Sequence, residues 1–441
     1  MAHLPPDHPE RFVLAEEVHA RPPEPVDTPS RATYVAVLVD PDDRERERLH
    51  LAALCARYAV APPPQGATHF SVRLGGLRAK WERHGEFSGY TFFAGPGMGG
   101  DPAQPFAEPA SGLLPPNWLS GVPGMTVVAV HALVLPMGGE EAPDLGQLSV
   151  NAFAGNTVVG AAIAGGAGFA LTDFRIHEDG CARVVMYDAG FTPRQAGRML
   201  QRLFEIEAYR MMALLALPIA RRQSPRIVAI EKSLAALTDG IARDQGHDEQ
   251  LLQELTRLAA EVESGLAASQ FRFGACRAYD ELVRTRIAEL REQRLAGLQT
   301  IEEFMARRFR PAVATCATVS QRLHSLSERV AQASSLLSTR VDIARERQNQ
   351  ALLASMNRRA KLQLRLQQTV EGLSVAAIVY YVVGLVGYIG KAVKSAGGKL
   401  EPDLLVGLAI PLVAAVSLLA VRRARRHASS ADREDDEPSH L

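Results

Sequence analysis

Apolar positions fall into three patterns along the chain, and the pattern changes twice. Up to about residue 222 they come in short alternating or compact runs, which predict strands. Tyr34–Val39, Phe70–Leu74, Leu77–His84, Tyr90–Phe93 and Val127–Leu135 are such runs, with Gly75-Gly76 as the turn of one hairpin. Phe169–Ile176 and Ala182–Tyr187, joined at Asp179-Gly180, predict a second hairpin. Asp42 to about Tyr58 reads as a charged helix. Thr192-Pro193 opens another, a cap followed by a first-turn proline, which runs to about Leu217 with Leu200, Phe204, Met211, Leu214 and Leu215 on one face. Glu207 interrupts that apolar stripe and reads as the partner of a buried arginine, with a functional acid as the alternative.

From Pro225 the period becomes helical. Ile227–Ser264 and Phe271–Phe309 predict long helices, and Pro311 starts a third, with Leu323, Leu326, Val330, Ala333 and Leu337 at heptad-like spacing. After a polar stretch at Arg345–Gln350, Leu362, Leu366, Val370 and Leu373 resume that seam. The pattern changes again at Gly372–Ile389 and Leu404–Val421, two runs without a charge. Each is about 27 Å long as a helix, enough to cross the hydrocarbon of a bilayer. The expected architecture is an α+β domain (mixed or antiparallel sheet with helices) over 1–222 and long stalk helices over 223–371. A transmembrane hairpin over 372–421 and a disordered tail over 422–441 complete it.

Charge sets the orientation of the hairpin. Arg358, Arg359, Lys361 and Arg365 precede the first run and Arg422, Arg423, Arg425 and Arg426 follow the second, which places both flanks and both termini in the cytoplasm. Lys391, Lys394 and Lys399 in the connecting loop reduce that contrast. The bilayer is therefore the expected partner, and the location a cytoplasmic (inner) membrane. Ala377, Tyr380, Gly384 and Gly387 share a face of the first run, where small residues let another helix approach or a pore form. With the heptads, that face makes a homo-oligomer the expected state. Across the whole chain 49 basic residues balance 49 acidic ones, so nucleic acid is not an expected partner. The four cysteines, Cys55, Cys181, Cys276 and Cys316, have no metal-ligand spacing, and no export signal is expected at the N-terminus.

Candidate chemistry is sparse. Glu82, His84 and Glu86 alternate, so on a strand they share a face, opposite Trp81, Arg83 and Phe87. With Glu17, His19 and Arg21 near them, those groups would form a polar cluster able to bind a divalent ion or exchange protons. The competing reading is a solvated hairpin face. Gly155–Gly160 and Gly165–Gly168 lack the lysine of a phosphate loop and read as tight turns or strand packing. No nucleophile motif is present, and neither a cofactor nor a catalytic residue is expected.

Glu17-Val18-His19-Ala20-Arg21-Pro22, Trp81–Phe87, Gly197–Arg210 and Thr369–Ser374 leading into Tyr380-Tyr381 resemble the signatures of a family of bacterial membrane-anchored proteins of unknown function. Gly85 departs from the threonine usual at its position. The resemblance implies an anchored topology and no known activity, so a self-associating scaffold or sensor facing the cytoplasm is the expected role. The layout is also similar to that of CorA-type magnesium transporters. Gly387-Tyr388-Ile389-Gly390 stands where those carry Gly-Met-Asn, so a divalent-cation channel is the alternative.

Overall fold

The computed structural model describes residues 5–12, 14–15, 22–95, 104–138, 144–243, 248–395, 397 and 401–434. They form two compact units, Met1–Leu337 and Ser338–Leu441.

The first unit is built on one nine-stranded sheet: β1 (Ser30–Leu38), β2 (His69–Leu74), β3 (Leu77–Arg83), β4 (Phe87–Ala94), β5 (Met125–Pro136), β6 (Val159–Ile163), β7 (Gly168–Thr172), β8 (Ala182–Asp188) and β9 (Gln293–Arg294). Its order is β2-β3-β4-β1-β5-β8-β7-β6-β9. Every pairing is antiparallel except the central β5/β8, which is parallel. The sheet is therefore mixed, one of the two forms the sequence left open.

Side-chain alternation sorts the strands into two cores. On β1, Ala32, Tyr34 and Ala36 join one core while Val35 and Val37 join another; on β8, Val184 and Met186 face one way and Val185 the other. Residues of α1 (Arg44–Arg57) and of α2 (Leu145–Phe153) lie in the two clusters on the second face. The first face is covered by α3 (Pro193–Leu214), α4 (Leu217–Ala242), α5 (Asp248–Leu290), α6 (Ile301–Arg308) and the start of α7 (Arg310–Ser395).

The α3 helix opens with the expected cap. Gln195 N–H donates to Thr192 Oγ1 and Thr192 N–H to Gln195 Oε1, a reciprocal capping box ahead of Pro193. Glu207, buried in its apolar stripe, is paired with Arg210 at 2.5 Å. Beyond α3 the helices break elsewhere than periodicity suggests. Helix α4 starts at Leu217 and continues through Pro225, and 265–270, the gap between two expected helices, lies inside α5. The helix expected to run to Phe309 stops at Leu290. Arg291 turns left-handed, Gly297 makes a further turn, and Gln293 and Arg294 extend the sheet edge against Ala162 and Ala161. Edge pairing there outweighs a helical preference that the side chains alone express.

Leu323, Leu326, Val330 and Leu337 are buried with Leu255, Leu258 and Val262 of α5, so this part of the heptad seam is used inside the chain. Arg322 pairs with Glu231 of α4 at 2.7 Å, and Ser327 donates to Glu263 at 2.6 Å.

On the second face, buried His131 of β5 lies 3.0 Å from Thr33 Oγ1, which accepts the Ser111 N–H. Burial holds the imidazole below its usual pKa. The unfolded chain then binds the proton first as pH falls, so stability present above about pH 6.5 is lost on acidification, at up to about 1.4 kcal/mol per pH unit. His131→Asn, which retains an acceptor for Thr33, is expected to flatten that dependence in urea titrations between pH 7 and 5.

The second unit consists of the remainder of α7 and α8 (Pro402–Glu434). A Cβ on Gly387 would meet Val406 Cγ2 at 3.1 Å, so the two helices approach closely at this glycine.

Candidate functional site

Three adjacent strands and one helix enclose a polar cavity. Register sets Lys80 of β3 beside Thr91 of β4 and Thr91 beside Tyr34 of β1, so the three share a face. Glu82, two residues along, sits opposite Gly89, where a Cβ would lie 3.1 Å from the Tyr34 ring. The glycine thus makes room for the tyrosine, which stacks on Phe204 of α3 with centroids 5.1 Å apart. Gly197 is required for the opposite wall. A Cβ there would fall 1.7 Å from the Glu24 carbonyl oxygen, and Val26 N–H donates to Pro193 O, so the segment before β1 lies directly on the helix. The enclosed space is about 20 Å³, room for a water molecule and not for an organic substrate.

A chain of charged and amide groups leads out of this cavity. Lys80 Nζ is 2.8 Å from Glu82 Oε1 and donates to Gln201 Oε1 at 3.1 Å. Gln201 Nε2 donates to Glu205 Oε1 at 2.8 Å, and the other Glu205 oxygen takes the Arg286 Nε–H. Arg286 also reaches Glu289 Oε2 at 3.1 Å, which accepts from Arg202 at 2.9 Å. Lys80 and Glu82 are each under a tenth exposed, so this is a desolvated pair and not a surface one. The pairs 202/289, 205/286 and 209/279 show that α3 and α5 run antiparallel, with the ladder along their seam.

Glu86 belongs to a separate branch. Its carboxylate accepts from Arg272 at 2.5 and 3.0 Å and from the Tyr279 hydroxyl at 3.1 Å. Tyr279 stacks on Tyr209, which meets His84 edge-on. Burial raises the pKa of the Tyr34, Tyr209 and Tyr279 hydroxyls, and the carboxylates near each add to the effect. All three stay protonated donors at neutral pH.

Two expectations about this motif are corrected. β3 ends at Arg83, so His84, Gly85 and Glu86 form the turn into β4 and do not continue the alternation. His84 N–H donates to Phe87 O across that turn, and the His84 ring stacks on Phe87 at 4.3 Å. Phe87 therefore lies on the face of His84, while Trp81 packs in the core on the other side of the sheet. Nor is the Glu82 face solvated, because α3 covers it. Glu17, His19 and Arg21 lie outside the described residues, so their distance from His84 is not defined. Among the described residues no group of three His, Cys, Asp or Glu could hold a metal ion.

Periodicity missed Lys80, Gln201, Glu205, Arg286 and Glu289. The available signal was Gln201 and Glu205 one turn apart beside the α3 apolar stripe, within the Gly197–Arg210 motif. In the second unit Ala377, Tyr380 and Gly384 are exposed, and Gly387 meets α8.

Residues 6–428 match the family described as "Protein of unknown function (DUF3422)". The chain belongs to that family. The match takes in all nine strands and every helix of the DUF3422 fold described above except the end of α8, which runs on to Glu434. No curated protein matches the chain. Among solved structures, the full-length CmaX protein is 13% identical, over 68% of this chain and 89% of CmaX, with a TM-score of 0.18. At that score no common fold is inferred.

Proposed function

We propose that this DUF3422 protein is a membrane-anchored scaffold or sensor. Gly372–Ile389 and Leu404–Val421 would form the anchor, and the sheet-bearing unit and both termini would face the cytoplasm. The observation that carries this reading is that α7 and Asp403–Arg423 each contain a stretch long and apolar enough to span a membrane, and neither stretch is buried. A core helix of a water-soluble fold hides such residues, whereas Leu373, Tyr380, Leu404 and Leu408 are each more than two-thirds exposed. A lipid phase satisfies both facts.

Self-association is part of the proposal. Ala377, Tyr380 and Gly384 form a small-residue face left open for a helix of another copy, which a close van der Waals approach would fill. The ladder from Glu82 to Arg202 supports a sensing or relaying role better than a catalytic one, since its charges are paired and its cavity admits only water. The channel alternative gains nothing from the hairpin, because Gly387 of the face it needs is already against Val406.

Fractionation tests the anchor. The full chain is expected in the carbonate-resistant membrane pellet, and a chain lacking 372–421 in the supernatant. A Ser395→Cys variant is expected to react with an impermeant maleimide from the periplasmic side of intact cells. Recovery of the full chain in the soluble fraction without detergent would end the proposal; labelling only after lysis would invert the orientation.

A further inference from the structure

An open concavity in the first unit lies between the first turns of α3 and the last turns of α5, on the seam beyond Glu289. It is about 640 Å³, within the range of small-molecule sites. Arg198 and Arg202 approach it from α3 and Arg291 from the end of α5, while Met199, Ala164 and Ala288 supply apolar wall.

The charges there do not balance. Three guanidiniums and one carboxylate, Glu289, line the space. That carboxylate is already shared by Arg202 and Arg286. Among the described residues neither the Arg198 nor the Arg291 guanidinium has a hydrogen-bond or ion-pair partner. Farther along α3 and α5 three arginines are matched: Arg286 to Glu205, Arg272 to Glu86, Arg210 to Glu207. The unmatched pair lines this space.

We propose that this groove binds a phosphomonoester, with Arg198 and Arg291 bridged by its terminal oxygens and Arg202 within reach of the same group. A carboxylate offers two oxygens and satisfies one guanidinium fork. A terminal phosphate carries up to two charges and three outward oxygens, which suits arginines arriving from two helices. The remaining volume and the Met199–Ala288 wall would take the uncharged body of the ligand. The inference concerns the first unit alone and stands whether or not the hairpin is in a bilayer.

Calorimetric titration of the full chain in a non-ionic detergent is the test, at low and at 0.5 M salt. Phenyl phosphate represents a soluble phosphomonoester, dioctanoyl phosphatidic acid a lipid headgroup, and dioctanoyl phosphatidylcholine the control without a terminal phosphate. Binding of either phosphate probe is expected, weakened by salt and lowered about tenfold or more in Arg198→Gln/Arg291→Gln, because two charge-assisted contacts are lost. Which probe binds identifies the source. Both substituted residues are exposed, so an unchanged melting midpoint should confirm the fold. Arg57→Gln, on the opposite face of the sheet, should bind as the parent does. Failure of both phosphate probes, equal binding in the double variant, or an equal loss in Arg57→Gln would overturn the assignment.

Discussion

Glu47→Ala is expected to destabilise the first unit by about 3–5 kcal/mol, more than any other single truncation on α1. Glu47 is fully buried on that helix. Its Oε1 accepts from Trp81 Nε1 at 2.9 Å and from the Tyr90 hydroxyl at 2.8 Å, and its Oε2 faces Arg44 at 3.6 Å. Removing the carboxylate leaves two large aromatic side chains with buried donors and no acceptor, and leaves a mostly buried guanidinium without its counter-charge. Burial and the adjacent Glu47 charge both push the Tyr90 hydroxyl pKa upward, so it stays a donor throughout the accessible pH range. Glu47→Gln keeps an acceptor for both rings and loses only the charge facing Arg44; it should cost about 1–2 kcal/mol. Tyr90→Phe should cost about 1 kcal/mol, because it removes one donor and leaves Glu47 Oε1 with the Trp81 N–H. Urea denaturation followed by the emission of Trp81 and Trp118, both buried in this core, reads all three. A Glu47→Ala cost near that of Tyr90→Phe would mean that the carboxylate is not the common acceptor tying α1 to β3 and β4.

This group of three shows why the sequence was readable at one level and not at another. The strands announce themselves because alternation is local: Val35 and Val37 face one way and Tyr34 and Ala36 the other, whatever the neighbouring strand. The α3 start is equally local, with cap, proline and return acceptor inside four residues. Gly160 was legible as a packing glycine, since a Cβ there would lie 2.4 Å from the Ala170 carbonyl oxygen. That β6 is a strand paired to β7, however, depends on a partner that the run itself does not specify. The polar contacts are harder still. Glu47 reaches Trp81 across 34 positions, Lys80 reaches Gln201 across 121, and Arg272 reaches Glu86 across 186. In a helical or strand window such residues look like an ordinary solvated face, because hydropathy records only that they are charged. The turn at His84–Glu86 adds a second kind of miss. Alternation assumes that the strand continues, and a turn centred on Gly85 reverses the chain and brings Phe87 round to the side of His84.

The second large effect separates the two things the Lys80–Glu82 pair could be. Either alone, Lys80→Met or Glu82→Leu, should cost about 3 kcal/mol, since each removes the counter-charge that the other faces at 2.8 Å beneath α3. Lys80→Met frees Gln201 Oε1 as well, so it should be the worse of the two. The double variant replaces a desolvated ion pair by apolar side chains of similar size beside Tyr34 and Phe204 and should recover most of the loss, to within about 1–2 kcal/mol of the parent. Recovered stability combined with altered ligand response in the groove at Arg202 would mark the pair as part of a relay, because the ladder from Gln201 to Glu289 would have lost its inner terminus while the fold stayed intact. Additive losses in the double variant would mean that each charge is held chiefly by other groups, and the ladder would then begin at Gln201. The cycle needs only denaturation midpoints and one titration, and it measures directly whether the polar interior of this sheet contributes stability or passes a signal.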